Sequence, residues 1–255
     1  MVEIKTPGEL DAMREAGRIV ARTLQAVTRH AAPGIRLDEL DQLAATLITE
    51  AGATSAFLHY HPHFAPTPYP GVLCTSVNDV IVHGIPTPYR LREGDLLSLD
   101  LGVYLDGWAG DSATTITIGR AAPADTRLIE TTRRALEAAI AATVPGNRIG
   151  DLGHAIATIA RDAGYGVPVD FGGHGIGRHM HEDPHISNHG RPGRGLTLRP
   201  GLVLAIEPMF IAGGDDRYLT DPDGWSLRSI DGSRAAHAEH TVAVTTDGPR
   251  VLTLP

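Results

Sequence analysis

The sequence predicts an α/β chain, of the α+β kind, whose two halves share one design. Three observations carry that prediction. Four segments place apolar residues at helical spacing. The stretch from Leu96 to Ile118 reads as two strands joined by Asp106-Gly107, a dipeptide suited to a tight hairpin. Finally, LREGDLLSLD, ending at Asp100, lines up without a gap against LRPGLVLAIE, ending at Glu207, the mark of an internal duplication. The chain has 255 residues, 42% hydrophobic and 20% charged, enough to bury a sizeable core. Its formal net charge of −8 argues against nucleic acid or an anionic membrane as the main partner. Cys74 is the single cysteine, so an internal disulfide framework is excluded and a reducing compartment fits. MVEIKTPGEL lacks the apolar core of a signal peptide, and no run approaches about 18 apolar residues; a cytoplasmic protein is expected.

The elements follow in order. Thr6-Pro7-Gly8-Glu9 has the form of a capping box with proline at the first helical position. Leu10, Met13, Gly17, Val20, Leu24 and Val27 then recur at helical spacing up to Pro33-Gly34. A second helix is expected from about Asp38 to Ala51, and a strand over Ser55 to Tyr60. HPHFAPTPYPG, with four prolines and a glycine, forbids regular structure. Val72 to Val77 and Val80 to His83 read as short strands. Two more helices are expected, from about Ala124 to Val144 and from Ile149 to Ala163, with Pro145-Gly146 and Gly164 as stops. Nothing has the composition of a linker, so residues 1–255 are read as one catalytic domain with repeats at about 53–145 and 146–255.

The hairpin carries the first chemical signal. A two-residue Asp106-Gly107 turn pairs Leu105 with Trp108 and therefore Asp111 with Gly102. Asp100 shares a face with Gly102, which makes Asp111 its diagonal neighbour, with Cβ atoms roughly 7–8 Å apart. Two side chains can reach one ion from there, and Gly102 is expected to leave the space between them open. Two unneutralised carboxylates on a half-buried sheet repel each other and resist desolvation, so a cation or a raised pKa is required. A solvent-facing acidic hairpin is the alternative this stretch alone leaves open.

The duplication supplies the partners. HGI occurs at His83 to Ile85 and again at His174 to Ile176, and DSATTITIG from Asp111 lines up loosely with EHTVAVTTD from Glu239. If the halves face each other across a pseudo-twofold axis, Asp100 and Asp111 meet Glu207 and Glu239. Four converging carboxylates call for two divalent cations, with room for one bridging hydroxide. His174, among glycines in GGHGIGRHMHEDPH, is the expected imidazole ligand. Oxygen donors with one imidazole suit Mn, Fe(II), Co or Zn.

His83 in IVHGIP, Asp100 in LSLDLG, Asp111 in GWAGD, His174 in GGHGIG, His181 in HEDP, Glu207 in AIEPM and Glu239 in AEHT together resemble, in order and spacing, the type I methionine aminopeptidases. The resemblance covers nearly the whole chain and is closest to the short bacterial form. It implies the pita-bread fold, two pseudo-twofold repeats with an antiparallel sheet core and outer helices, and removal of the initiator methionine from nascent proteins when the second residue is small. It further implies that Asp100, Asp111, His174, Glu207 and Glu239 hold two ions whose hydroxide attacks the scissile carbonyl. Glu207 would take the proton from the attacking water, His83 would contact the scissile amide and His181 would stabilise the oxyanion. Matched positions put Phe57, Tyr60, Tyr69, Cys74, Met180 and Trp225 around an apolar methionine pocket, with plain core packing as the alternative for each. Three features depart from the family pattern: a long His61 to Pro68 loop, Met180 where an aromatic is common, and His237-Ala238 where Gln-Tyr is frequent.

The partners expected are N-terminal peptides of nascent proteins, with no membrane and a monomeric chain. Arg191, Arg194 and Arg199 form either a ribosome-docking patch or a solvated loop, the latter being the simpler account. His181-Glu182-Asp183-Pro184-His185 spells HExxH, but proline and the flanking glycines oppose the helix that a zinc-protease site needs. His59, His61 and His63 are read as a solvated loop rather than a second metal site. A proline-specific or creatinase-type hydrolase is the nearest rival reading, and an inert binding protein on the same scaffold is the non-enzymatic one.

Overall fold

The structure, a computed structural model, describes residues 2–63 and 65–255; Met1 and Phe64, the latter inside the long His61 to Pro68 loop, lie outside the described residues. The chain opens with helix α1 (Pro7–His30), which starts on the expected capping box: Glu9 N–H donates to Thr6 Oγ1, and Thr6 N–H donates to Glu9 Oε2 at 2.8 Å. Helix α2 (Leu37–Glu50) buries Leu37, Leu40, Ala44 and Ile48. Both helices pack on the first sheet through Val20, Leu24, Val27, Leu40, Leu97, Leu99 and Leu101.

The expected strand over Ser55 to Tyr60 is reduced to β1 (Thr54–Ser55). Ser55 Oγ accepts from the N–H groups of Phe57 and Leu58 at 3.1 and 3.0 Å, so its side chain turns the backbone away from the sheet. His59 then adopts φ 66°. Strands β2 (Cys74–Val77) and β3 (Val80–Val82) follow, and next comes the long hairpin of β4 (Leu96–Leu105) and β5 (Trp108–Thr117). Its turn has φ 50° at Asp106 and 75° at Gly107, and its register pairs Leu105 with Trp108 and Gly102 with Asp111, as the dipeptide requires. Strands β1 and β2 pair with β4, which completes the first sheet.

Helices α3 (Pro123–Ala142) and α4 (Ile149–Ala163) then cover the second sheet through Leu128, Leu136, Leu152, Ile156, Leu204 and Val242. Gly164 ends α4 in the left-handed conformation at φ 73°. The remaining strands are β6 (Gly172–Gly175), β7 (Glu182–Ser187), β8 (Val203–Ile206), β9 (Met209–Ile211), β10 (Tyr218–Thr220), β11 (Leu227–Ser229), β12 (Ala235–His237), β13 (His240–Thr245) and β14 (Gly248–Val251). The second sheet runs β14-β13-β8-β6-β7, and two small sheets, β10-β11-β3 and β12-β9, stand beside it. In element order a helix pair precedes each large sheet, and 145, the expected boundary between the repeats, lies between α3 and α4, which pack on each other as one layer. Among the described residues no helix is long and apolar enough to cross a membrane.

Candidate metal centre

The two acid-bearing strands, one from each half, meet at the centre of the molecule. Glu239 N–H donates to Ala113 O at 3.0 Å, Ser112 Oγ donates to Glu239 O at 2.6 Å, and Thr241 Oγ1 accepts from Asp111 N–H at 3.0 Å while donating to Asp111 O at 2.8 Å. These bonds hold Asp111 beside Glu239. Within the second half, His240 pairs with Ile206, so the next residues outward, Glu239 and Glu207, face each other. Asn188 Nδ2 donates to the Glu207 carbonyl at 3.0 Å and fixes the strand end. Cys74 pairs with Asp100 across β2 and β4.

Asp111, His174 and Glu239 each present a ligand atom within 4.8 Å of the others, and all three are buried. His174 Nδ1 lies 2.9 Å from Gly175 O; a carbonyl only accepts, so Nδ1 carries the proton and Nε2 offers its lone pair to the acids. That Nε2 stands 3.8 Å from Asp111 Oδ2 and 3.6 Å from Glu207 Oε1. Asp100 Oδ1, Asp111 Oδ1 and Glu239 Oε1 are buried without a hydrogen-bond partner among the described residues. Oxygen atoms with this much unmet demand, joined by one imidazole lone pair, fit a hard or borderline divalent cation.

The electrostatics agree. Burial pushes Asp100 up to about 7, a hydrogen bond to Asp111 acting the other way. Burial raises Asp111, Glu207 and Glu239 well above the usual carboxylate range, and the charges of neighbouring acids add to it. Without a cation the cluster therefore retains protons. The imidazoles move the other way: burial lowers His174 to about 3 and His83 to about 4, with His181 adding to both shifts, and burial lowers His181 itself. All three are neutral near pH 7.

The acids line a cavity of about 500 Å³. Phe57, Tyr60, Tyr69, Cys74, His83, His181 and Trp225 line it together with all five expected ligands. Tyr60 stacks on His181 with ring centres 5.2 Å apart, and the His181 ring is 4.4 Å from that of His174. Tyr69 meets Trp225 edge to face at 5.0 Å, and Trp225 Nε1–H donates to Thr67 O at 2.9 Å. Phe57 and Cys74 line the cavity and also belong to a hydrophobic core cluster.

Met180 departs from expectation. It is absent from the cavity lining and packs behind the wall: a Cβ at Gly102 would collide with its Cε and stand 2.8 Å from Phe57 Cε1. The space opposite Asp111 is thus filled by Met180 and Phe57, not open. Tyr104 Oη accepts from Met180 N–H at 2.8 Å and so anchors the residue next to His181. The HExxH stretch is the start of strand β7, not a helix. His61 Nε2 lies 3.1 Å from Ala65 O, within its own loop.

Asp170, Phe171 and Gly172 also line the cavity and escaped sequence reasoning, whereas Glu182, Asp183 and His185, in the same lining, were weighed only as part of the HExxH stretch. Phe171 meets His83 edge to face at 5.7 Å. His185 was within reach of the pattern, because β7 pairs it with His174. Phe171 was not, since it lies at the end of an irregular segment.

A buried acid–imidazole cluster under an aromatic-walled cavity, set between two similar halves, defines a metal-dependent hydrolase. The model of metallopeptidase family M24 matches residues 11–246. Methionine aminopeptidase 1 of Mycobacterium tuberculosis (strain CDC 1551 / Oshkosh) is 50% identical over 261 residues, covering 100% of this chain and 96% of that protein. The crystal structure of methionine aminopeptidase from Thermotoga maritima superposes with a TM-score of 0.95 at 39% identity, covering 100% of both chains. The chain belongs to the methionine aminopeptidases of metallopeptidase family M24 and has their pita-bread fold. A prolidase from Pyrococcus furiosus, with a TM-score of 0.77 at 24% identity over 99% of this chain and 65% of its own, shares the fold alone.

Proposed function

We propose that this chain releases the initiator methionine from nascent proteins whose second residue is small, using two divalent ions drawn from Mn, Fe(II), Co or Zn. The observation that carries this reading is the cavity itself, which the four acids and His174 line together with Phe57, Tyr60, Tyr69, Cys74 and Trp225. A thioether fits such an aromatic wall, and a wall shared with the acids lets one substrate meet both. Divalent ions held there lower the pKa of water and polarise a carbonyl.

The chain's own groups then have separate tasks. Glu207, whose buried carboxylate favours the protonated form, accepts the proton of the attacking water and passes it to the leaving amine. His83, kept neutral by burial, hydrogen-bonds the scissile amide. His181, held by stacking on Tyr60 and by the Met180 anchor, donates to the carbonyl oxygen as charge develops there. Asp100, Asp111, His174, Glu207 and Glu239 hold the ions. The test is methionine release from Met-Ala-Ser across a panel of metals, with X-Pro peptides alongside and Asp111→Asn as control. Release of methionine by the wild type and loss of at least about 100-fold in the variant are expected. Cleavage of X-Pro peptides alone, or an unimpaired variant, refutes the reading.

A further inference from the structure

His237 stands next to the acid cluster without a part in the scheme above. It is 2% exposed, its Nε2 is buried, and that atom has no hydrogen-bond partner among the described residues. Its Nε2 lies between two carboxylates, Glu207 Oε2 at 3.8 Å and Glu239 Oε2 at 3.9 Å, with the His83 imidazole also nearby. No hydrogen bond reaches the side chain of Glu207 or Glu239 among the described residues, so two acceptors and one donor are left facing one another.

The backbone that carries this imidazole is fixed. His237 N–H donates to Thr115 Oγ1 at 2.8 Å, and Thr115 Oγ1 donates to His237 O at 2.7 Å, with Ser98 Oγ 2.7 Å from the same hydroxyl. Pairing of β12 with β9 sets His237 opposite Met209. The ring is therefore aimed by two independent devices, one from each half of the molecule. His174 differs in one decisive respect. Its proton is committed to Gly175 O, which leaves a lone pair on Nε2. The Nε2 of His237 points between two acids, and a neutral imidazole there meets them best as a donor.

We propose that His237 is a positioning residue of the metal centre, carrying its proton on Nε2 and donating it to the Glu207 and Glu239 carboxylates. Held in this way, each acid turns its remaining oxygen toward the site. The gap of about 0.7 Å beyond a normal hydrogen bond is closed by rotation of either carboxylate. The inference rests on the reading of those acids as metal-holding groups, and its test separates the two.

Metal-free wild type, H237A and H237Q are titrated with Mn(II) and with Co(II) by calorimetry, and the visible spectrum of each Co(II)-saturated protein is recorded. H237A is expected to bind at least about 10-fold more weakly. H237Q, whose amide N–H donates from a similar place, is expected to stay within about threefold of wild type and to keep its Co(II) bands. Unchanged affinity in H237A overturns the proposal. So does an H237Q protein as weak as H237A, and altered Co(II) bands in H237Q would assign His237 to the metal directly. Circular dichroism of the metal-free variants checks the fold, and H237L replaces H237A if the latter does not fold. A wild type that takes up no ion refutes the metal reading itself, whereas normal uptake with an indifferent H237A refutes only the role of His237.

Discussion

Removal of the metal is predicted to make the stability of this protein fall with rising pH across a range where most proteins are indifferent. In the metal-free chain, burial raises Asp100 from 3.8 to about 7 and lifts Asp111, Glu207 and Glu239 as well. A carboxyl whose folded pKa exceeds its unfolded value favours the fold while protonated. That contribution is complete below the unfolded pKa and is withdrawn as pH rises through the folded one. At 1.36 kcal/mol per pKa unit, the whole shift of Asp100 corresponds to about 4 kcal/mol, of which about 1 kcal/mol is withdrawn between pH 6.5 and 8. Each other acid that keeps its proton across that window withdraws about 2 kcal/mol more. The histidines oppose this: His83, His174, His237 and His240, lowered to about 3 or 4 from 6.5, add stability as pH rises, the last of it, about 0.4 kcal/mol each, between pH 6.5 and 8, so the fall prevails once two of Asp111, Glu207 and Glu239 keep their protons. For a chain of this size, 1 kcal/mol moves Tm by about 2–4 °C. Calorimetric melting of chelator-treated protein should therefore show Tm falling by about 5 °C or more from pH 6.5 to 8, while the metal-loaded protein stays flat. A metal-free Tm that is constant or rises over this window would show that the acids are not buried together as the fold places them.

Two further predictions concern the hairpin. Inserting one residue between Asp106 and Gly107 shifts the β4–β5 register, turns Asp111 to the opposite face and abolishes metal binding; unchanged metal stoichiometry by calorimetry or elemental analysis contradicts this. Gly102→Ala forces the methyl of Met180 and the ring of Phe57 to move, at a cost of about 1–3 kcal/mol in denaturant unfolding. Because Phe57 belongs to the pocket wall, KM for Met-Ala-Ser should rise more than kcat falls, and an unchanged KM would separate Met180 and Phe57 from substrate binding.

Much of the fold was legible because it is specified locally. The α1 capping box, the Asp106-Gly107 turn and the Gly164 stop each require particular residue types at a fixed offset, and each formed as expected. The strand expected over Ser55 to Tyr60 failed where local chemistry competed with pattern. Its apolar and aromatic residues suit a strand, but the hydroxyl of Ser55 captures two backbone N–H groups that a sheet ladder would have needed. Helix packing is what the repeat leaves open: similarity of sequence lies in short segments around the acids and histidines, and it carries no signal about which helices pack with which sheet.

The candidate site divides along the same line. Asp100 and Asp111 were readable because register determines their faces and follows from turn length and alternation, and Glu207 and Glu239 were readable through the internal repeat. The pocket is built differently. Trp225 reaches the cavity from the long second-half loop and is tied to Thr67 of the first half, a contact between segments with no periodicity. Met180 was assigned to the wall from its match to the family pattern, yet one residue of displacement decides whether a side chain lines a cavity or fills the layer behind it. Here Gly102 decides: having no Cβ, it admits the methyl group of Met180, and Met180 thereby leaves the cavity to Phe57. His237 combines both cases. Its backbone is placed by β12 and Thr115, and its side chain acquires meaning only when Glu207 and Glu239 close around it. A residue of that kind is recognisable in a structure by its unpaired donor, and in a sequence it is one more buried histidine.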